Sequence, residues 1–307
     1  MKSIPLSKQA IGAYLSIYLI WGSTYLAIAY ALDGIPPFLL SGIRYILAGL
    51  ILYLWAFVEG ERSVGWHEWG RNAISGVLAL VGGIGMVTWS EQYISSAEAA
   101  VAGASTPFWF LILDKSHWKQ NFSNKKLLIG FLLGSLGLIV FVVWGNAVAT
   151  TVALHVSSKT RFMAFTGLIL GGLGWVVGSL YFRDKKSEQS MVMNVAQQLL
   201  LAGLASFIIA TFQNEWTQAH WQMVGIRAWL SLVYLSVFGS AIAYIAYSWL
   251  LHHGNAALIS THIYVNPVIA VVLGALFLQQ SISAMQYLGM ALILLGLFFT
   301  LGTGKKS

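Results

Sequence analysis

The segment His262-Ile263-Tyr264-Val265-Asn266-Pro267 brings together an imidazole, a phenol, an amide and a proline. It lies inside an apolar run, Ala256 to Leu278, long enough to cross a bilayer as a helix of about 20 residues at about 1.5 Å rise each. His262 and Asn266 are four apart and share a helix face, whereas Tyr264 points nearly the opposite way. All three line one cavity only if Pro267 distorts the helix. Proline has no N–H, so Pro267 frees the carbonyl of Ile263 four residues earlier. Ser105-Thr106-Pro107 repeats the device in the run Ala97 to Leu113. Pro107 and Pro267 are therefore read as helix breaks, tolerated in lipid where neighbouring helices or a wet cavity satisfy the freed groups. Such side chains recognise polar solutes by hydrogen bonding. His262 is either a proton relay or a histidine hydrogen-bonded in place.

Three ionisable residues add charge. Arg44 lies about eight residues, hence about 12 Å, into the second apolar run. At that depth an arginine needs a wet cavity or a partner. Its guanidinium fork suits a substrate carboxylate; pairing with Glu91, bonding to helix-end carbonyls and snorkelling to the outer face are the competing roles. Glu98 is placed for proton carriage, but Ser95-Ser96-Ala97-Glu98 also reads as a capping box. Glu91 is a further coupling or charge partner. Aromatic residues form stripes at helical spacing: Tyr14, Tyr18, Trp21 and Tyr25, then Ser240, Tyr244 and Tyr247, and Trp175 with Ser179. They line a solute pathway or pack between helices. His252-His253 is too sparse for a metal site, and no metal or cofactor is expected.

The elements that position these residues must be membrane helices. Of 307 residues, 58% are hydrophobic and only 9% charged, against about 25% charged in a soluble domain. Mean hydropathy is +0.74. The absence of cysteine excludes disulfides, thiolate catalysis and Cys-ligated metal sites. Gly83-Ile84-Gly85 follows no strand and precedes no Walker lysine, so it reads as helix packing rather than a nucleotide loop. The net charge of +7 is distributed over short loops and does not indicate nucleic acid.

Ten spans are expected, about Gln9–Leu32, Pro36–Val58, Asn72–Glu91, Ser96–Leu113, Lys126–Gly145, Phe162–Phe182, Met191–Phe212, Ile226–Leu251, Ala256–Leu278 and Ile282–Gly302. The first is too long and uniform for a signal-peptide core and is expected to stay as an anchor. Alternate connections separate the basic residues sharply. Lys2, Lys8, Arg62, Arg71, Lys115, Lys119, Lys125, Lys126, Arg183, Lys185, Lys186, Lys305 and Lys306 fall on one side, and only Lys159, Arg161 and Arg227 on the other. The excess predicts that both termini are cytoplasmic.

The chain also resembles itself. Trp21 recurs as Trp175, and Leu47-Ala48-Gly49-Leu50 as Leu201-Ala202-Gly203-Leu204. Trp89 and Pro107 recur as Trp249 and Pro267, and Gly130 and Gly137 as Gly289 and Gly296. Gln198 stands at the position equivalent to Arg44. Five spans per half make the second half enter from the opposite side, an inverted repeat over 1–150 and 151–307 of the kind found in transporters.

Trp21-Gly22-Ser23-Thr24-Tyr25, Pro36-Pro37, Ser41-Gly42-Ile43-Arg44-Tyr45 and Leu47-Ala48-Gly49, with Phe238-Gly239-Ser240 and Tyr264-Val265-Asn266-Pro267, resemble an EamA-family permease of the drug/metabolite transporter superfamily, in its YedA-like branch. The resemblance spans nearly the whole chain. It implies ten helices in a five-plus-five inverted repeat and export of small metabolites, amino acids or toxic compounds. Where that family often carries a glutamate after the fourth and ninth helices, this chain has Gln120 and Gln280.

The resulting expectation is an all-α polytopic protein of the bacterial inner membrane. It is a secondary transporter exporting small metabolites by alternating access, with the lipid bilayer and a small-molecule substrate as its partners. Trp21, Tyr25, Arg44, Trp89, Trp175, Tyr244, His262, Tyr264 and Asn266 are the candidate pathway residues. A passive facilitator or channel is the alternative. An intramembrane enzyme fits worst, because the acids are dispersed and the loops short.

Overall fold

The structure is a computed structural model and describes residues 7–94, 102–103, 105–143, 156–278 and 282–301. The described residues form helices joined by short connections. The principal helices are α1 Lys8–Ala31, α2 Pro37–Val58, α3 Trp66–Ser90, α4 Thr106–Leu113, α5 Lys125–Val143, α6 Ser158–Asp184, α7 Met191–Phe212, α8 Ile226–His253, α9 His262–Leu278 and α10 Ala284–Leu301. Local signals explain several starts. Ser7, Ser157 and Ser190 cap α1, α6 and α7 by accepting a backbone N–H three residues on. Pro37 opens α2, where its missing N–H is harmless.

Among the described residues seven helices are long and apolar enough to cross a membrane, and eight if the bent pair Lys115–Ser123 and Lys125–Phe141 is one span. The expected ten therefore stand at seven or eight by length and composition. The shortfall lies at α4, whose upstream run falls largely outside the described residues, and at α10, a shorter apolar helix. The third span starts earlier than expected, at Trp66 rather than Asn72.

Helix packing follows the small residues. α2 lies antiparallel to α7, where Gly49 meets Leu200 and Gly203 meets Ile46. α5 and α10 are likewise antiparallel. A Cβ added at Gly130 would stand 2.6 Å from the Gly296 carbonyl oxygen, and one at Gly289 would stand 2.7 Å from that of Gly137. No side chain fits there, so the backbones touch. In lipid such close approach replaces the hydrophobic drive that holds soluble helices together. α3 packs on α6 and α8 on α1, while α9 packs on α1 and α4 on α6. Two stretches widen into π-helix, Val77–Gly85 in α3 and Leu235–Ile242 in α8, a form that tends to mark functional segments.

The two prolines stand differently in their helices. Pro107 lies in the first turn of α4. Pro267 lies within α9, which runs on through it. The chain interrupts its helix earlier, at Ser260 and Thr261 between the turn Ala256–Ile259 and α9. Pro107 costs nothing in a first helical turn, whose N–H groups have no helical partner anyway, whereas Pro267, six residues into α9, leaves the Ile263 carbonyl without its helical donor.

Candidate functional site

The central aromatic residues meet in one cluster. The Trp21 ring lies 4.9 Å from His262, 5.3 Å from Tyr247 and 5.6 Å from Trp175, and Trp175 is 4.8 Å from Tyr247. Edge and tilted contacts of this kind add to the area the rings bury. The polar edges of the cluster are tied down. Trp21 Nε1 donates to the Gly239 carbonyl at 3.0 Å, and the Tyr247 hydroxyl donates to Ser179 at 2.8 Å. Tyr18 and Thr261 hydroxyls are 2.8 Å apart. His262 Nδ1 lies 2.8 Å from the Ile259 carbonyl, which only accepts, so Nδ1 carries the proton and Nε2 is the acceptor in the neutral ring.

Against this cluster lies a cavity of about 130 Å³. Trp21, Tyr25, Arg44, Trp175, His262 and Asn266 all line it, so six of the nine expected pathway residues are brought together. Ile263, whose carbonyl Pro267 leaves without a helical donor, lines it too. Thr24, Thr106, Gly83 and Gly172, none of them an expected pathway residue, also line it. Gly83 belongs to the π-helical stretch and rests on Trp175.

Arg44 is 2% exposed. Its Nε donates to Ser240 Oγ at 3.0 Å, and its guanidinium lies 5.0 Å over the Tyr45 ring. Nη1 is buried with no hydrogen-bond partner. Among the described residues Arg44 forms no ion pair with Glu91; Glu91 caps the C-terminus of α3 and interacts electrostatically with Tyr25. Asn266 Oδ1 is likewise buried without a partner. Trp175 Nε1 makes no well-formed hydrogen bond, its electrostatic neighbour being the Tyr247 phenol.

Three expected pathway residues stand elsewhere. Tyr264 faces α5, its hydroxyl 3.2 Å from Ser135 and its ring 6.1 Å from Phe131. On a helix residue 264 lies nearly opposite the face shared by His262 and Asn266. Tyr244 donates to Gln198 Oε1 at 2.7 Å and backs Trp175, with ring centroids 6.2 Å apart. Trp89 packs edge-on to Tyr93 at 5.0 Å. Glu98, its capping box and Gln280 lie outside the described residues.

On the far side of the aromatic cluster α4 and α6 are joined by charge. Asp114, which ends α4, accepts from Arg183 and also meets His117 at 2.9 Å and Ser116 at 2.6 Å. Burial works to raise the Asp114 carboxyl, but hydrogen bonds from His117, Arg183 and Ser116 outweigh it and hold the group below the usual carboxylate range. In the sequence Arg183 stands out only as one of the orienting charges. At another helix end, Glu215 accepts the Leu39 N–H at 2.8 Å and caps α2 across sequence. Burial raises the Glu215 carboxyl, against the pull of the Leu39 and Phe38 N–H groups.

A set of long apolar helices enclosing a small aromatic and polar cavity is the architecture of a polytopic membrane protein. The EamA-like transporter family matches the chain twice, over residues 9–143 and 162–302, and the chain belongs to that family. It is 29% identical over 283 residues to the uncharacterized inner membrane transporter YedA of Escherichia coli K12, covering 92% of this chain and 87% of that protein. It is 23% identical to the uncharacterized transporter YoaV of Bacillus subtilis, covering 95% and 96%. A crystal structure only 18% identical superposes with a TM-score of 0.77 over 97% of this chain and 98% of the other, a likeness of fold. The protein is a multi-pass transporter of the inner membrane.

Proposed function

We propose that this chain is a secondary transporter working by alternating access, and that it exports small solutes such as amino acids or aromatic and amphipathic metabolites. Its ten helices then span the membrane as a five-plus-five inverted repeat, 1–150 and 151–307, with both termini cytoplasmic. Three observations support the repeat. The family match occurs once in each half. The helix contacts exchange when the halves are exchanged, α3 with α6 for α8 with α1 and α4 with α6 for α9 with α1. The two π-helical stretches occupy equivalent helices.

The observation that carries the transport reading is the cavity itself. Arg44 brings a buried donor and Asn266 a buried acceptor to one small space, neither with a partner. An unsatisfied buried polar group costs about 1–3 kcal/mol, more when charged. A solute with a carboxylate and a nearby N–H or O–H group satisfies both, and the Trp21 and Trp175 faces suit an apolar body. In the orientation set by the basic residues the cavity occupies the outer parts of α1 and α3, and the aromatic cluster closes it toward the cytoplasm. Packed rings on the cytoplasmic side of the cavity fit an occluded outward-side binding state of an alternating-access cycle.

The test is counterflow in liposomes. The purified protein should accumulate labelled tracer against unlabelled internal solute for some members of a panel of amino acids and aromatic carboxylates. Flux that stays linear in concentration, with no stimulation from the opposite side, would identify a pore instead.

A further inference from the structure

A second and larger cavity, about 260 Å³, lies at the helix ends where α3 begins, α6 ends, α7 begins and α8 ends. Arg71, Arg183, Lys185, Lys186 and His252 line it, with no carboxylate among the lining residues. Two of these cations are compensated from behind. Arg71 bonds Glu68 at 2.7 Å, and Arg183 is held by Asp114 and by the exposed Asp184. Even so, Arg71 Nε is buried with no hydrogen-bond partner. Lys185 and Lys186 are exposed and form no ion pair among the described residues, although Asp184 and Glu188 border the same turn. Lys185 Nζ lies 5.7 Å over the Tyr181 ring.

The floor beneath these charges is rigid. Asn72 donates to Asn194 at 2.9 Å and to Gln197 at 2.8 Å, and Gln189 donates to the same two acceptors at 2.9 and 2.8 Å. A bonded amide floor, two guanidinium groups held by carboxylates and two exposed ammonium groups make a preorganised anion receptor. Its place at the ends of four membrane helices is headgroup depth, and Tyr181, Phe182 and Met191 supply apolar wall on the lining. Basic pockets between helices at that depth suit anionic lipid phosphates.

We propose that this cavity binds the phosphate of an anionic lipid headgroup, with Lys185 and Lys186 as its principal contacts. The site is separate from the solute cavity and does not depend on what is transported.

Native mass spectrometry of the full chain in detergent tests this, with dioleoyl phosphatidylglycerol and dioleoyl phosphatidylcholine as parallel probes. Phosphatidylglycerol should be retained in preference, and each lysine removed should weaken it about five-fold, so about twenty-five-fold in K185Q/K186Q. K125Q/K126Q loses the same charge elsewhere and should leave retention unchanged. Equal retention of the two lipids, or unchanged phosphatidylglycerol binding in K185Q/K186Q, overturns the proposal. Tight binding of inorganic phosphate that displaces the lipid overturns the lipid source and assigns the cavity to a soluble phosphate. Should the double variant not fold, K185Q and K186Q singly, both on an exposed turn, carry the same comparison.

Discussion

Arg183 donates to both carboxylate oxygens of Asp114, Nη1 to Oδ2 at 2.7 Å and Nη2 to Oδ1 at 2.9 Å. This bidentate pair ties the end of α4 to the end of α6, on the side of the aromatic cluster away from the solute cavity. Paired this way, an arginine and a carboxylate hold both partners in a fixed relative geometry.

The Asp114 carboxyl is held below its ordinary range. A depressed carboxylate contributes stability that is present above the unfolded value, about 4, and lost as pH falls through the folded value. Asp114→Asn should therefore lower the melting temperature of the detergent-solubilised protein at pH 7, by about 2 kcal/mol of stability lost with the charged hydrogen bonds. The difference between variant and parent should shrink only below about pH 4. A constant difference from pH 7 to pH 3 would mean that the carboxylate charge is not what the contact uses.

Arg44 enters the cavity with one guanidinium nitrogen bonded to Ser240 and another without a partner. Arg44→Lys keeps the charge and loses the fork. It should raise the apparent KM for carboxylate solutes about ten-fold or more, the effect of a lost charge-assisted bond of about 1.5–3 kcal/mol. Solutes without a carboxylate should be affected little. Liposome uptake with matched acid and amide tracers measures the contrast, and an equal loss for both would move Arg44 into a purely structural role.

Tyr264 lies beside Ser135 and Phe131, away from the cavity. Tyr264→Phe should leave KM unchanged, whereas Asn266→Ala, at the cavity wall, should raise it. A KM shift in Tyr264→Phe would place the pathway on the α5 side of α9, against the geometry described above.

Gly130 and Gly296 leave no room for a side chain. Gly130→Val and Gly296→Val should each destabilise the protein by about 1–3 kcal/mol, as overpacking does. Thermal unfolding in detergent reads this directly. Wild-type melting for both variants would show that α5 and α10 separate at little cost.

With no native cysteine, single introduced cysteines report orientation cleanly. Impermeant maleimide added to intact cells should label Thr217→Cys and spare Lys119→Cys and Lys185→Cys. The opposite pattern would reverse the assignment drawn from the basic residues.

Much of this protein is legible in the sequence for physical reasons. Hydrocarbon excludes charge and unpaired backbone, so long apolar runs with few ionisable residues identify membrane helices from composition alone. The motifs around Trp21, Arg44 and Asn266 were enough to point to the family that the profile match then established. The cavity was legible only in part. His262 and Asn266 were placed together by their spacing, and Tyr264 was seen to point elsewhere, yet Tyr264 was still counted with them on the expectation that Pro267 distorts the helix. The helix continues past Pro267, and Tyr264 stands beside Ser135 on α5.

What the sequence by itself determined is the solvent this chain folds in and the helices it forms there. Tertiary structure alone decided which side chains meet. Arg44 bonds Ser240 across 196 positions and Tyr18 reaches Thr261 across 243. In water an amphipathic pattern marks the inward face of a helix, because the outward face must be polar. In lipid both faces are largely apolar, so only the few polar residues, which turn inward, mark how a helix is rotated. Close approaches such as Gly171 against the Gly82 carbonyl and Gly22 against the Asn266 carbonyl constrain that rotation for the helices that line the cavity.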